Sequence, residues 1–266
     1  MLFSDQLVVI RGGGDLGSGV AYRLSRAGFP VVVLELAQPL AIRRAVAVSS
    51  AIDAGRTTVE GLEAIHATSV PAAAELARSG SIAVLVSAGL PDDLGATAVV
   101  DARLAKQNLD TRITDAPLVV GLGPGFTAGI DCHAVVETKR GHHLGRVIWS
   151  GPAAPNTGEP GVVGGESSQR VIRASRAGPV SWRVQIGDRV EAGAPIGTVA
   201  GAPIQSAIGG VARGLIAEGR SVAAGTKIAD VDPRGEASAC FEISDKALAV
   251  GGGALEAVLV HLNERS

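Results

Sequence analysis

Short apolar, β-branched runs alternate with glycine turns and helical spacings through the first half of the chain. Val8, Val9 and Ile10 close a run that reads as a buried strand. Gly12, Gly13, Gly14 and Gly17 break it. Val20, Leu24 and Ala27 then recur at helical spacing until Gly28 ends the helix. A second buried strand is predicted over 30–36, a helix with an alanine-rich face over 71–78, and strands over 82–86, 98–101 and 117–120. Such alternation predicts right-handed strand–helix–strand units and a parallel sheet. Residues 40–70 fit either a short strand pair around Thr57, Thr58 and Val59 or a helix.

The pattern changes near residue 150. A turn-rich connector over 151–161 leads into short β-like stretches, and these contain an internal repeat. Residues 186–199 match 218–231, so that Gly187, Val190, Gly193, Ile196 and Val199 fall on Gly219, Val222, Gly225, Ile228 and Val231. Two such hammerheads resemble the biotinyl/lipoyl-like barrel sandwich. The turn between the halves, 199–203, has no carrier lysine, and Lys227 belongs to the second hammerhead. After 232–235, Ser244 caps a helix start at 245, Gly251, Gly252 and Gly253 are expected to interrupt it, and 254–262 is amphipathic. The expected architecture is a Rossmann-like α/β domain, 1–165 plus 240–266, with a lipoyl-like module inserted over 166–239.

At 266 residues the chain is long for one domain and comfortable for two. A net charge of −2 with dispersed basic residues argues against a nucleic-acid groove or an anionic membrane surface. No apolar run approaches bilayer length, and the immediate strand leaves no room for a secretory signal. Two cysteines make no disulfide framework, so a cytoplasmic setting is expected.

Candidate chemistry gathers in two places. Gly12, Gly14 and Gly17 have the G-x-G-x-x-G spacing between a strand and a helix, which suits a pyrophosphate at a helix N-terminus. Glu35, closing the next strand, suits ribose hydroxyls. Arg43 and Arg44 are candidate phosphate contacts. The second place follows the strand at 117–120, where Gly121, Gly123 and Gly125 bare the backbone ahead of Asp131, Cys132, His133, Glu137, Thr138, Arg140, His142 and Arg146. Arg140, His142 and Arg146 suit an anion. Cys132, His133 and Glu137 are the candidates for catalysis, Cys132 for sulfur or selenium chemistry. Lys246 offers a further point charge to phosphate. No metal site is expected, because the spacing of these groups matches no metal signature.

Residues 9–17, 34–44, 115–129, 131–138, 140–142, 144–146, 156–158, 232–235 and 244–253 together resemble the selenium-dependent molybdenum hydroxylase system proteins, the YqeB-type accessory family. The resemblance implies a cytoplasmic maturation factor for a molybdenum hydroxylase client of the xanthine dehydrogenase type. Such a factor would handle a molybdopterin-type cofactor or a nucleotide. Two further readings stand beside it: an NAD(P)-dependent oxidoreductase with His133 as proton donor, and a non-catalytic adaptor docking a client through the β module. A phosphorylated small molecule is the expected ligand throughout, and a homo-oligomer is compatible with the sequence.

Overall fold

A computed structural model describes residues 1–156, 158, 164–166 and 168–265, so the expected connector over 151–161 and the motif at 156–158 lie partly outside the described residues. The chain divides into two compact units. One comprises Met1–Pro39, Ala47–Asn156 and Ile243–Ser266, and the other Leu40–Val46 and Thr157–Glu242.

The first unit contains β1 (Val8–Arg11), β2 (Val31–Glu35), β3 (Arg56–Val59), β4 (Leu62–Ala67), β5 (Ile82–Val86), β6 (Ala98–Asp101), β7 (Leu118–Leu122), β8 (Thr127–Ala128), β9 (Ala134–Val136), β10 (Val147–Ile148) and β11 (Gly151–Pro152). Nine of these form one sheet in the order β10-β9-β7-β6-β1-β2-β5-β4-β3, while β8 and β11 pair separately. Pairing is parallel from β9 across to β4 and antiparallel at the two edges, β9 with β10 and β4 with β3. The central strands are unbroken Val/Ile/Leu runs because both faces are covered; Val9, Ile10, Val33, Val100 and Val120 are wholly buried. Helices α1 (Asp15–Arg26), α2 (Ala51–Ala54), α3 (Val70–Arg78) and α4 (Asp245–Asn263) complete the unit. Ala73 and Ala77 of α3 join Val9, Val32, Ala83 and Leu85 in one apolar cluster.

The expected Rossmann-like parallel sheet with a barrel-sandwich insertion is corrected by this topology. The sheet is mixed, because Glu60 (φ 45°) and Gly61 (φ 81°) make a two-residue turn that folds β3 back on β4 as an antiparallel edge. That hairpin also resolves the ambiguity over residues 40–70. The second unit is built on two separate sheets. Its strands are β12 (Val171–Arg173), β13 (Gly178–Trp182), β14 (Arg189–Val190), β15 (Pro195–Val199), β16 (Ala202–Gln205), β17 (Gly210–Leu215), β18 (Ser221–Val222) and β19 (Lys227–Asp232). They form two four-stranded antiparallel sheets, β12-β19-β17-β14 and β16-β15-β13-β18. The repeat has a physical basis in them: Val190, Ile196 and Val199 share one apolar core with Val222, Ile228 and Val231. Residues 40–46 belong to this unit, where Arg43 donates from Nη2 to the Ala239 and Glu242 carbonyls at 3.1 and 2.9 Å.

Helix α4 is continuous through Gly251, Gly252 and Gly253, where a break was expected. Two of these glycines admit another backbone. A Cβ on Gly251 would stand 2.3 Å from the Gly19 carbonyl oxygen, and one on Gly253 would stand 2.2 Å from that of Gly145. From the α1 side, a Cβ on Gly19 would stand 2.3 Å from the Ala247 carbonyl oxygen. Close packing thus outweighs the low helix propensity of glycine, which costs about 1 kcal/mol per residue relative to alanine.

Gly19→Ala is expected to lower the unfolding free energy by about 1–3 kcal/mol, since the helices must part. Gly252, whose Cβ would meet nothing within 4 Å among the described residues, gives the opposite outcome: Gly252→Ala is expected to add about 0.5–1 kcal/mol. Urea denaturation of both variants checks the contrast.

Candidate functional site

The parallel strands β4, β5, β2, β1, β6, β7 and β9 end at one edge of the sheet. Strand β1 has β2 on one side and β6 on the other, so the chain departs from it in both lateral directions, the arrangement that opens a ligand crevice beyond the strand ends. The turn after β1 is closely packed. Gly12 (φ 100°) lets Ala102 and Arg103 approach, a Cβ there meeting both at 3.1 Å. A Cβ on Gly17 would stand 2.0 Å from the Gly12 carbonyl oxygen. Ser18 donates its hydroxyl to the Gly14 carbonyl at 2.9 Å and accepts from the Val48 amide at 2.9 Å. Gly14 differs from its neighbours. It is the N-cap of α1, provides no side-chain cap, and a Cβ on it would meet nothing within 4 Å among the described residues. The first-turn amides of α1 therefore begin beside open space, with the positive end of the helix behind them.

Glu35 ends β2 beside this turn. One carboxylate oxygen accepts from the Gly13 amide at 2.9 Å and the other from the Leu36 amide at 2.8 Å.

The second glycine loop lies along the same edge, after β7, but its glycines serve packing. A Cβ on Gly121 would meet the Phe126 ring at 2.4 Å, one on Gly123 the Thr138 hydroxyl at 2.3 Å, and one on Gly125 the Gln107 backbone at 2.5 Å. The two turns do not close over a shared cleft. Strand β6 stands between them, and the loop that follows it packs on Gly12 at Ala102–Arg103 and on Gly125 at Gln107.

That loop is pinned by a polar network that sequence reasoning missed. Buried Arg11, at the end of β1, donates to Thr111 and Asp110 at 2.9 Å each. Buried Asp101, at the end of β6, accepts from the Thr111 hydroxyl at 2.6 Å and from Arg103 Nε at 3.2 and 3.1 Å. Burial opposes the Asp110 charge, but hydrogen bonds from Arg11 and Arg103 outweigh it and hold the carboxyl below its usual range. The signal available in the sequence was a charged residue closing each of two buried strands, Arg11 and Asp101.

Strand β9 divides the cluster expected to be catalytic. His133 and Glu137 lie at opposite ends of it, about 13 Å apart at roughly 3.3 Å per residue. Cys132 is wholly buried, and burial first of all pushes its thiol up to about 11. His133 accepts from the Val119 amide at Nδ1, 3.0 Å, and burial lowers its pKa. Glu137 is a buried clasp, accepting from the Lys139 amide at 2.7 Å and the Ala154 amide at 2.8 Å. Cys132 and His133 are thus core and scaffold groups, not a reactive pair at the sheet edge. Among the described residues no group of His, Cys, Asp and Glu side chains is disposed to hold a metal ion.

Of the expected anion contacts, Arg44 donates to the Leu215 carbonyl at 2.7 Å and, like Arg43, braces the second unit. His142 and Arg146 are exposed on the loop after β9. Arg140 forms a bidentate pair with Asp245 at 2.7 and 2.9 Å. Lys246 is the informative one. It sits in the first turn of α4, within electrostatic reach of Asp15 at the start of α1 and of Glu137. Burial first, and the Arg140 charge second, hold its ammonium below the ordinary lysine range despite those carboxylates and Asp245. A partly desolvated cation beside two helix starts is an arrangement that anions stabilise.

Both cysteines are free and buried. Native protein at pH 7.5 is expected to leave both unmodified by a thiol reagent over an hour, since a thiol with a raised pKa stays protonated and unreactive. Denaturant should release the two thiols, and labelling of Cys132 in the native state would contradict this placement.

No family model matches the chain. It is 50% identical over 261 residues, 97% of its length, to a protein of Escherichia coli K12 described as uncharacterized protein YqeB. The chain spans about half, 48%, of that relative's own length. Among solved structures it aligns with a succinylglutamate desuccinylase/aspartoacylase from Rhodobacter sphaeroides at 17% identity and a TM-score of 0.26, over 85% of each chain. It aligns also with an aspartoacylase family protein from Mesorhizobium loti at 13% identity and the same TM-score, over 85% of this chain and 84% of that one. Maturation of molybdenum hydroxylases, with its selenium chemistry and its client-docking alternative, is corrected by these findings. The sequence relative, described as uncharacterized, lends that role no support. At TM-scores of 0.26 those structures transfer neither fold nor activity to this chain. The hydride-transfer alternative loses its proton donor, because His133 lies at the far end of β9. What stands is likeness: over nearly all of its length the chain is similar to about half of the YqeB protein.

Proposed function

We propose that the first unit binds a nucleotide, with its phosphates on the open amides at Gly14 and the start of α1 and within reach of Lys246. One observation carries this reading. Of the three spaced glycines, Gly12 and Gly17 are locked in backbone contacts, whereas Gly14 faces open space at an uncapped helix start. Its lack of a side chain leaves the start of α1 uncovered. Helix amides and a cation together favour phosphate. Strand order adds support, since β1 is where the chain changes lateral direction. Among the described residues no helix is long and apolar enough to cross a membrane, and two free buried cysteines suit a reducing cytoplasmic setting.

Calorimetric titration with ADP at low salt tests the reading. Binding in the micromolar range is expected, weakened about tenfold by Lys246→Met through loss of a charge-assisted contact. Gly14→Val is expected to abolish binding and leave the denaturation midpoint unchanged, because Gly14 has an extended backbone (φ −72°, ψ −167°) with room beside it. Failure of the wild-type protein to bind ADP, or unaltered binding by Gly14→Val, would overturn the site.

A further inference from the structure

We infer that His133 is an acid-released latch: its unprotonated ring closes the junction between β7 and β9, and protonation frees the turn over 127–133 that carries Cys132. His133 precedes β9, at the end away from the glycine turns, so the inference stands apart from the nucleotide site. Its basis is a gap in the sheet that a side chain fills. Strand β9 begins at Ala134 and pairs parallel with β7. One residue earlier, the His133 amide donates to the Val119 carbonyl at 2.8 Å. Val119 is wholly buried, so its own amide needs an acceptor too. A parallel strand would supply a main-chain carbonyl. Here the chain before β9 turns away: the Gly129 amide takes the Cys132 carbonyl at 2.8 Å, and the Asp131 amide donates to the Thr127 carbonyl at 3.0 Å. The His133 ring stands in, its Nδ1 accepting from the Val119 amide at 3.0 Å. That bond requires a bare lone pair on Nδ1, so the neutral ring carries its proton on Nε2. Protonated at Nδ1, the ring would set N–H against N–H and leave a buried amide unpaired.

Helix α4 reinforces the latch. His261, in its last turn, lies within electrostatic reach of His133. His261 Nε2 faces Arg265 Nη1 at 3.4 Å, and a guanidinium only donates, so this ring too is an acceptor in its neutral form. Burial first, then Arg265 and His133, hold His261 below the ordinary imidazole range, and Glu264 opposes them. Burial lowers His133 likewise. Strands β7 and β10 bring no ionisable side chain to this contact. In the preceding turn, Asp131 is committed to the Thr127 amide at 2.8 Å and to the Asn108 side chain at 3.2 Å, and the Cys132 thiol is uncharged. A base whose folded pKa is depressed contributes stability that is complete above its unfolded value, about 6.5, and is lost as pH falls through that value toward the folded one. Cys132 shares an apolar cluster with Val119, Phe126, Ala128, Val135 and Ala153, so its exposure reports release of the turn.

Labelling by 4,4′-dithiodipyridine, which reacts with thiols in mild acid, tests the latch, with each cysteine resolved by peptide mass spectrometry. Labelling of Cys132 in the wild-type chain is expected to accelerate about tenfold or more between pH 7.5 and pH 5, against the decline that loss of thiolate alone would cause. Cys240, in the other unit, should stay protected at both. His133→Asn keeps an acceptor oxygen near the place of Nδ1 and cannot titrate, so Cys132 should remain protected at pH 5. His133→Phe has no acceptor and should leave Cys132 open to label at both pH values. The wild-type chain also supplies a check that needs no variant: in a nuclear magnetic resonance titration the Val119 amide should shift with the same midpoint as the His133 ring, below about 6.5. Protection of wild-type Cys132 at pH 5, an equal acceleration in His133→Asn, or simultaneous exposure of Cys240 would overturn the latch. A His133 titration that leaves the Val119 amide unmoved would overturn it as well.

Discussion

Backbone-to-backbone contact between α1 and α4 is the constraint from which the rest of the first unit follows. Gly19 and Gly251 have no side chain to hold the helices apart, and each would drive a Cβ into the other helix's backbone. The approach fixes more than a packing distance. Helix α1 leaves the carboxyl-terminal edge of β1, and α4 runs from the neighbourhood of Glu137 toward that of His133, as the charges felt by Lys246 and His261 show. The two helices therefore start at the same edge of the sheet. Lys246 is brought beside the start of α1 by residues 225 or more positions away in the chain, and no local sequence feature would have placed it there.

Glycine has two opposite uses along that edge, and the residue type alone does not separate them. Gly121, Gly123 and Gly125 are filled from outside by Phe126, Thr138 and Gln107. Gly12 and Gly17 are likewise filled, one by the loop after β6 and the other by the turn itself. Gly14 alone among these six has no neighbour within reach of a Cβ among the described residues. A glycine that a neighbour fills is explained by that neighbour. Gly14, which nothing fills, stands at a helix start with an extended backbone, and this is where the proposed phosphate would sit.

The strands at 8–11, 31–35, 82–86, 98–101 and 118–122 were legible because burial on both faces leaves unbroken β-branched runs. At the sheet edges β3 was legible only as one of two alternatives and β10 not at all, since both are half exposed and carry no such run. Helix α4 was misread at Gly251 to Gly253 because its glycines answer to contacts with α1 and Gly145, which are distant in sequence. Within the candidate site, Gly12, Gly14, Gly17 and Glu35 were visible by spacing after a strand. The cluster from Cys132 to Arg146 was visible as density of polar residues, but density along the chain is not proximity in space. A short strand carries Cys132 and His133 to one end and Glu137 to the other. The Arg11, Asp101 and Arg103 network escaped notice because each residue looked like an ordinary strand terminus.

That network also decides where an anion can sit. Among the described residues, Arg11, Arg103 and Lys246 lie near the ends of β1, β6 and α1, and they are not equivalent. Arg11 and Arg103 are held by Asp101, Asp110 and Thr111 at hydrogen-bond distance, so a phosphate would have to displace carboxylates already in place. Breaking the Arg103–Asp101 pair, whose carboxylate is buried, costs about 3–5 kcal/mol, whereas the pairs to half-exposed Asp110 cost less. Lys246 makes no hydrogen bond or ion pair among the described residues, and its charge is already partly desolvated. A phosphate there restores to the ammonium what burial removes and disturbs no existing pair. The electrostatics therefore favour the α1–α4 side of the turn over the β6 side. The proposed phosphate site therefore falls at Gly14 and not beside Arg11 and Arg103.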